Sequence, residues 1–190
     1  RFLILLPYAI PPIANGLIWS FLYSFQFGFL NRILFSFGLI DDPINWAGNP
    51  DTALYAVTVP YIWRTLPFAI ILVHAALQGI PRELYEAAAV DGARAWHRFW
   101  HITLPLSAPG TIATALMVFI PTVGDYVTPA LVGGSGGSMI GNTIQILFGR
   151  QNDAPLGSAV SIVMMAMVSA VVCLFLWAVG YRKIRAREAI

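Results

Sequence analysis

Three long runs of this chain carry no charged residue: Phe2 to Asn31, Ile102 to Gly124 and Ala154 to Tyr181. A helix that crosses a bilayer needs about 20 mostly apolar residues, so each run is long enough to cross. Marking apolar runs bounded by charge or turn residues predicts four membrane helices, over Phe2 to Phe27, Ala53 to Gln78, Thr103 to Asp125 and Leu156 to Tyr181. Prolines interrupt the first at Pro7, Pro11 and Pro12 and the second at Pro60 and Pro67. Membrane helices tolerate such breaks when neighbouring helices satisfy the freed backbone groups. The expected fold class is therefore all-α, a polytopic membrane helix bundle.

Tyr126 to Gly149 is a further charge-free stretch, but it holds six glycines, including Gly133-Gly134-Ser135-Gly136-Gly137. Each glycine costs about 1 kcal/mol in a helix interior. The stretch 126–155 is expected to be an outward, partly re-entrant loop rather than a fifth crossing. No internal repeat of 20 to 50 residues stands out.

Composition sharpens the picture. Of 190 residues, 58% are hydrophobic and 11% charged, with a mean hydropathy of +0.72. A soluble domain is about 25% charged, which excludes a water-soluble globule. The net charge of +2 is too small to point to nucleic acid, but its placement orients the chain. With four spans, Arg1, Arg82, Arg94, Arg98, Arg182, Lys183, Arg185 and Arg187 fall on one side, Arg32 and Arg150 on the other, and Arg64 within the second span. Basic residues accumulate on the cytoplasmic side, so the loop after Gln78 and the C-terminal tail are expected there. A single cysteine, Cys173, excludes a disulfide framework or a cysteine metal site within the chain. The chain starts on Arg1 and enters an apolar span at once, without the layout of a signal peptide; it reads as a piece of a longer protein.

The most informative stretch is the loop 81–105. Pro81 suits a helix start, Glu83 and Glu86 complement the positive end of the helix dipole, and Ala87, Ala88 and Ala89 favour helix until Gly92 ends it. A second short helix is expected next, with Ala93, Trp96 and Trp100 at helical spacing, before Pro105 marks re-entry into the membrane. One reading is an interfacial connector with tryptophans at headgroup level. The small face of Ala87 to Ala89 also allows close approach of another protein, so a docking surface is the second.

The order Glu86-Ala87-Ala88, Asp91-Gly92, nine residues, then Ile102-x-Leu104-Pro105 resembles the signature loop of the inner-membrane permease subunits of binding-protein-dependent ABC importers. The resemblance implies the type I importer transmembrane fold, here N-terminally incomplete, in the bacterial inner membrane. It implies that Glu86, Ala87, Ala88, Asp91, Gly92, Ile102, Leu104 and Pro105 couple to a separate ATPase. The implied partners are a dimer of ATP-binding subunits that hold ATP and Mg, a second permease subunit, an extracytoplasmic substrate-binding protein and membrane lipid. No cofactor is expected on this chain itself. Trp63-Arg64-x-x-Pro67-Phe68 and Leu77-Gln78-x-Ile80-Pro81 look like the pattern shared with sugar permeases. Gly124-Asp125-Tyr126-Val127-Thr128-Pro129, Met139-Ile140-Gly141-Asn142 and Pro155-Leu156-Gly157-Ser158 look like the spermidine and putrescine branch, which makes polyamine the expected substrate and sugar the alternative.

Ionisable groups at membrane depth usually face a bundle interior or a wet path. Asp125 beside Tyr126 would suit a passing polyammonium through Coulomb and cation–π attraction; the bland alternative is that Asp125 caps a loop or pairs with Arg64. With Trp63 these form the expected substrate path. Arg64 itself is expected to find a carboxylate or carbonyls freed near Pro60 and Pro67, and His74 to be a packing residue. His97 and His101, four apart, are too few for a metal site.

Other classes fare worse. No Gly-x-x-x-x-Gly-Lys-Ser/Thr phosphate loop exists in the chain, so an ATPase site is excluded within it. Gly133-x-Ser135-Gly136 superficially resembles an intramembrane serine protease motif, but no histidine follows His101, and a serine nucleophile needs a base within hydrogen-bond reach.

Overall fold

The computed structural model describes residues 5–188, with side chains through Trp177. Arg1 and Phe2 lie outside the described residues, as do the side chains of Tyr181 and of the basic cluster Arg182, Lys183, Arg185 and Arg187. In chain order the helices are α1 (Leu6–Ala9), α2 (Pro12–Leu22), α3 (Phe29–Ser36), α4 (Pro50–Gln78), α5 (Arg82–Val90), α6 (Ala95–Arg98), a π-helical turn (Phe99–Thr103), α7 (Leu104–Gly124), α8 (Val127–Val132), α9 (Ile140–Gly149) and α10 (Ala154–Glu188). There is no strand among the described residues, so the all-α expectation holds.

Among the described residues, three helices are long and apolar enough to cross a membrane: Pro50–Gln78, the continuous run Ala95–Gly124 and Ala154–Trp177. No residue in the most apolar window of α10 is buried. A helix that is apolar all round and uncovered needs lipid or another subunit as its solvent. The fourth expected span does not form as one helix. Pro11 and Pro12 have no N–H to offer the preceding turn, and Ile10 takes an extended ψ of 126°, so the stretch divides into α1 and the shorter apolar α2. Pro60 and Pro67, by contrast, are carried inside a continuous α4.

The second expected short helix of the 81–105 loop is likewise corrected: it is not separate but runs through the π turn into α7. The Leu104 N–H reaches back to the Phe99 carbonyl, and Pro105, lacking a donor, cannot restore the α pattern at that point. Pro105 thus widens the helix rather than starting a new one.

The chain divides into two compact units, whose boundaries fall inside α4, α7 and α10. The first spans Arg1–Pro67 and Pro121–Met165, the second Phe68–Ile120 and Ala166–Ile190. The core of the first unit is Tyr23, Ala56, Val57 and Val132, flanked by Trp19, Leu30, Trp46, Leu131 and Met139. Here α8 packs on α2, with Leu131 seated where a side chain at Gly16 would stand. The glycine run lies on the first turns of α4: a Cβ at Gly133 would come within 3.0 Å of Val57, and one at Gly136 within 2.8 Å of Pro50 and 3.2 Å of Ala53. The expected loop is therefore a short hairpin of two helices whose glycine tip is held by close backbone approach.

In the second unit, the last turns of α4 meet the start of α7, where Gly110 leaves room for Ala76. Tyr85 of α5 and Thr103 of the π turn share a hydroxyl hydrogen bond of 2.9 Å. That bond ties the two arms of the 81–105 loop together.

Candidate functional site

The exposed end of the second unit is built by α5. Its alanines and the absence of β-branched residues before Val90 favour helix, and Glu83 lies in the first turn. The helix ends in a Schellman motif: Gly92 N–H donates to the Ala89 carbonyl at 3.1 Å and Ala93 N–H to the Ala88 carbonyl at 2.9 Å. Gly92 supplies the left-handed residue this closure requires, with φ +76° and nothing within 4 Å of the position a Cβ would take. Glu86, Ala87, Asp91 and Gly92 are exposed, and Ala88 is half-buried. They form one convex elbow of small and acidic residues. Ile102, Leu104 and Pro105 stand on the other arm, in the π turn and the start of α7.

In the first unit Asp125 is a capping residue. Its Oδ1 accepts the Val127 N–H at 2.9 Å and the Thr128 N–H at 3.3 Å, and its Oδ2 accepts the Thr128 hydroxyl at 2.6 Å. No ion pair joins it to Arg64 among the described residues. Arg64 Nε instead donates to the Ile10 carbonyl at 3.2 Å. The freed carbonyl that Arg64 finds lies at the Pro11 break, not near Pro60 or Pro67. Between them stands Tyr61, hydrogen-bonded through its side chain to Thr122 and within electrostatic reach of Asp125, Arg64 and Tyr8. Tyr61 and Arg64 are the twelfth and fifteenth residues of the 29-residue α4, so this polar cluster lies near mid-helix.

Tyr126 is exposed, and its carbonyl accepts the Asn142 side-chain amide at 2.8 Å. The Asn142 Oδ1 in turn accepts the Met139 N–H at 3.1 Å. A Cβ at Gly141 would come within 3.0 Å of the Asp125 carbonyl. The motifs around Asp125 and Met139 are thus two halves of one structural clasp. Asp153 does the same for α10, accepting the Leu156 N–H at 3.0 Å, while Gly157 leaves room for the Phe148 ring.

Trp63 joins a different group. It stands edge-on to Trp19 at 6.0 Å, Trp19 contacts Tyr23 at 5.4 Å, and Tyr23 contacts Trp46 at 5.7 Å. Trp46 Nε1 donates to Asn31 Oδ1 at 2.9 Å, and Asn31 also bridges both backbone groups of Ile44. His74 lies 3.3 Å from the Gln78 side chain, and the His97 and His101 rings stack at 4.0 Å. Among the described residues no group of three or more His, Cys, Asp or Glu side chains converges on a metal-sized site. Sequence reasoning overlooked Tyr61 and Thr122 and named Asn142 only as part of a family motif; the spacing Asp125-x-x-Thr128 was the available capping signal.

Residues 29–185 match the family model described as "Binding-protein-dependent transport system inner membrane component". The chain is 34% identical over 186 residues to the trehalose/maltose transport system permease protein MalF of Thermococcus litoralis, covering 96% of this chain and 62% of that protein. It is 33% identical over 150 residues to the spermidine/putrescine transport system permease protein PotB of Escherichia coli, covering 79% of this chain and 53% of that protein. A solved bacterial ABC transporter involved in import of the acidic polysaccharide alginate matches the fold with a TM-score of 0.76 at 21% identity, over 94% of this chain and 63% of the solved one. The chain therefore spans roughly three-fifths or less of the length of these relatives. The likeness extends to sugar and polyamine permeases alike, so the polyamine branch is not favoured. Of the three motifs that suggested that branch, those around Asp125 and Met139 build the α8–α9 hairpin, and Pro155 to Ser158 lie at the start of α10.

Proposed function

Because this chain belongs to the family of binding-protein-dependent transport system inner membrane components, we propose that it is part of a permease subunit of an ATP-driven importer. It lines a solute path across the bacterial inner membrane together with a second permease subunit and receives solute from an extracytoplasmic binding protein. The observation that carries this reading is the exposed elbow of α5, closed at Gly92 and bearing Glu86 to Gly92. A convex element of small residues with a rigid end suits seating in a cleft of a separate ATPase. ATP and Mg bind on that partner, and closure of the ATPase pair moves the elbow. The coupling works only through differential affinity of the partner for the two states of the permease. The loop and the C-terminus lie on the cytoplasmic side in this reading, which the basic residues support.

For the solute we infer a small sugar, with polyamine as the second reading. Two observations support sugar. The similarity to the trehalose/maltose permease runs over 186 residues against 150 for the spermidine/putrescine one. The Asp125 carboxylate, the natural attractor for a passing polyammonium, already accepts three hydrogen bonds. The test is uptake of radiolabelled trehalose, maltose, putrescine and spermidine into proteoliposomes holding the full-length subunit with its neighbouring-gene partners. ATP-dependent sugar uptake is expected. Polyamine uptake alone moves the chain to the second reading, and uptake that persists without any ATPase overturns the importer assignment.

A further inference from the structure

The run from Arg94 to Thr103 carries two side-chain series at the same helical spacing. Arg94, His97, Arg98 and His101 stand at i, i+3, i+4 and i+7, and so do Trp96, Phe99, Trp100 and Thr103. Arg94 is the extended N-cap residue and Phe99–Thr103 form the π turn, so the ring contacts, not an ideal helical period, define the two faces. Trp96 lies 5.9 Å from Phe99 and 5.7 Å from Trp100, and Phe99 lies 5.8 Å from Trp100. On the other face the two imidazoles stack, with His101 Nδ1–H donating to the His97 carbonyl at 3.0 Å.

Thr103 bonds Tyr85 of α5, but the rings and guanidiniums ahead of it are not covered in this chain. Trp96 is 71% exposed and Trp100 49%. Arg94 is exposed and Arg98 half-buried, and neither guanidinium has an ion pair or hydrogen bond among the described residues. The nearest acidic residue in sequence is Asp91, three positions before Arg94, and it forms no ion pair with either guanidinium among the described residues. The same helix continues without interruption into the apolar span that ends at Gly124, which sets this run where the span meets water. Tryptophans on one side and arginines on the other are the two groups that a headgroup layer accommodates.

We propose that the Arg94–His101 run binds anionic phospholipid, with the Arg94 and Arg98 guanidiniums donating to the phosphodiester oxygens and Trp96, Phe99 and Trp100 lying against the acyl boundary. Guanidinium offers several parallel donors to phosphate, and an anionic leaflet attracts basic residues within a Debye length. An acidic protein surface would satisfy the arginines but leave the three aromatic rings without an apolar medium; the bilayer serves both faces. The site is distinct from the Glu86 to Gly92 elbow and does not depend on what the chain transports.

The test uses the full-length subunit with its partners in nanodiscs containing a minor fraction of either brominated phosphatidylglycerol or brominated phosphatidylcholine. The Trp96 and Trp100 signal is the fluorescence component absent from Trp96→Phe/Trp100→Phe. Brominated phosphatidylglycerol is expected to quench this component more strongly than the choline lipid. Arg98→Gln should weaken the apparent affinity for phosphatidylglycerol about fivefold and Arg94→Gln/Arg98→Gln by about that factor again. Arg94→Lys/Arg98→Lys should recover most of it. Equal quenching by both lipids, or no change in the double Gln variant, overturns the proposal. Absence of quenching by either lipid also overturns it and assigns the face to a protein partner. Because the readout involves neither ATP nor solute, its failure is separate from failure of the importer reading.

Discussion

Asp125 distinguishes a capping carboxylate from a substrate-facing one, and two substitutions separate the roles. Asp125→Asn keeps the shape of the side chain. Its remaining oxygen still accepts the Val127 and Thr128 N–H groups, now at 2.9 and 3.3 Å, and the Thr128 hydroxyl, now 2.6 Å from Oδ2, can turn to accept from the new amide. Only the charge is lost. Hydrogen bonds to a charged group contribute about 1.5–3 kcal/mol and neutral ones about 0.5–1.5, so the bonds weaken but none is lost, and the Asn variant should cost less than removal of the acceptors. Asp125→Ala removes every acceptor. Losing a cap costs about 1 kcal/mol, and Thr128, 3% exposed, keeps a buried hydroxyl without a partner for about 1–3 more. The expected total is about 3 kcal/mol. Unfolding by SDS titration from mixed micelles, followed by tryptophan fluorescence, measures both, with uptake assayed in parallel. The Asn variant should stay folded and transport, and the Ala variant should unfold early. The reasoning is refuted if Asp125→Asn destabilises as much as Asp125→Ala, or if it abolishes uptake while leaving stability intact, because the charge would then be meeting solute.

Gly92→Val meets nothing within 4 Å, so its cost is the strain of a β-branched residue at φ +76°, about 1–2 kcal/mol; ATP hydrolysis by the assembled importer should persist while uptake falls, and normal coupled uptake would show the elbow is not the docking element. Asn31→Leu strands the Ile44 N–H, the Ile44 carbonyl and the Trp46 indole N–H together, and should lower stability in the SDS titration by about 3 kcal/mol. A loss under about 0.5 kcal/mol would mean that water replaces the network. Arg64→Leu leaves the Ile10 carbonyl unsatisfied and should cost about 1 kcal/mol, whereas Arg64→Lys should retain most of the contact; a Leu variant as stable as the parent would remove Arg64 from the structural account.

The all-helical membrane character, three of the spans and the elbow at Gly92 followed from the sequence alone. They rest on local causes: charge-free length, alanine runs, and a glycine where a helix must turn left-handed. The segments that departed from expectation are those where proline or glycine acts against a neighbour. Pro11 and Pro12 divided the first stretch, Pro105 widened a helix that Pro60 and Pro67 left continuous elsewhere, and the glycine run 133–137 turned out to be the tip of a helical hairpin pressed on α4. Propensity alone does not say whether a glycine loosens a chain or admits another backbone; the positions of Val57, Pro50 and Ala53 do. The role of Asp125 was equally undetermined, because a carboxylate at a span end suits a cation or a cap equally well. The bonds to Val127 and Thr128 are local, two and three residues on, but only the tertiary structure brought Tyr61 near and sent Arg64 to the Ile10 carbonyl. The sequence fixes which groups need partners at membrane depth, and packing across distant segments decides which partners they find, since hydrogen bonds act over about 3 Å and depend on where the rest of the chain has folded.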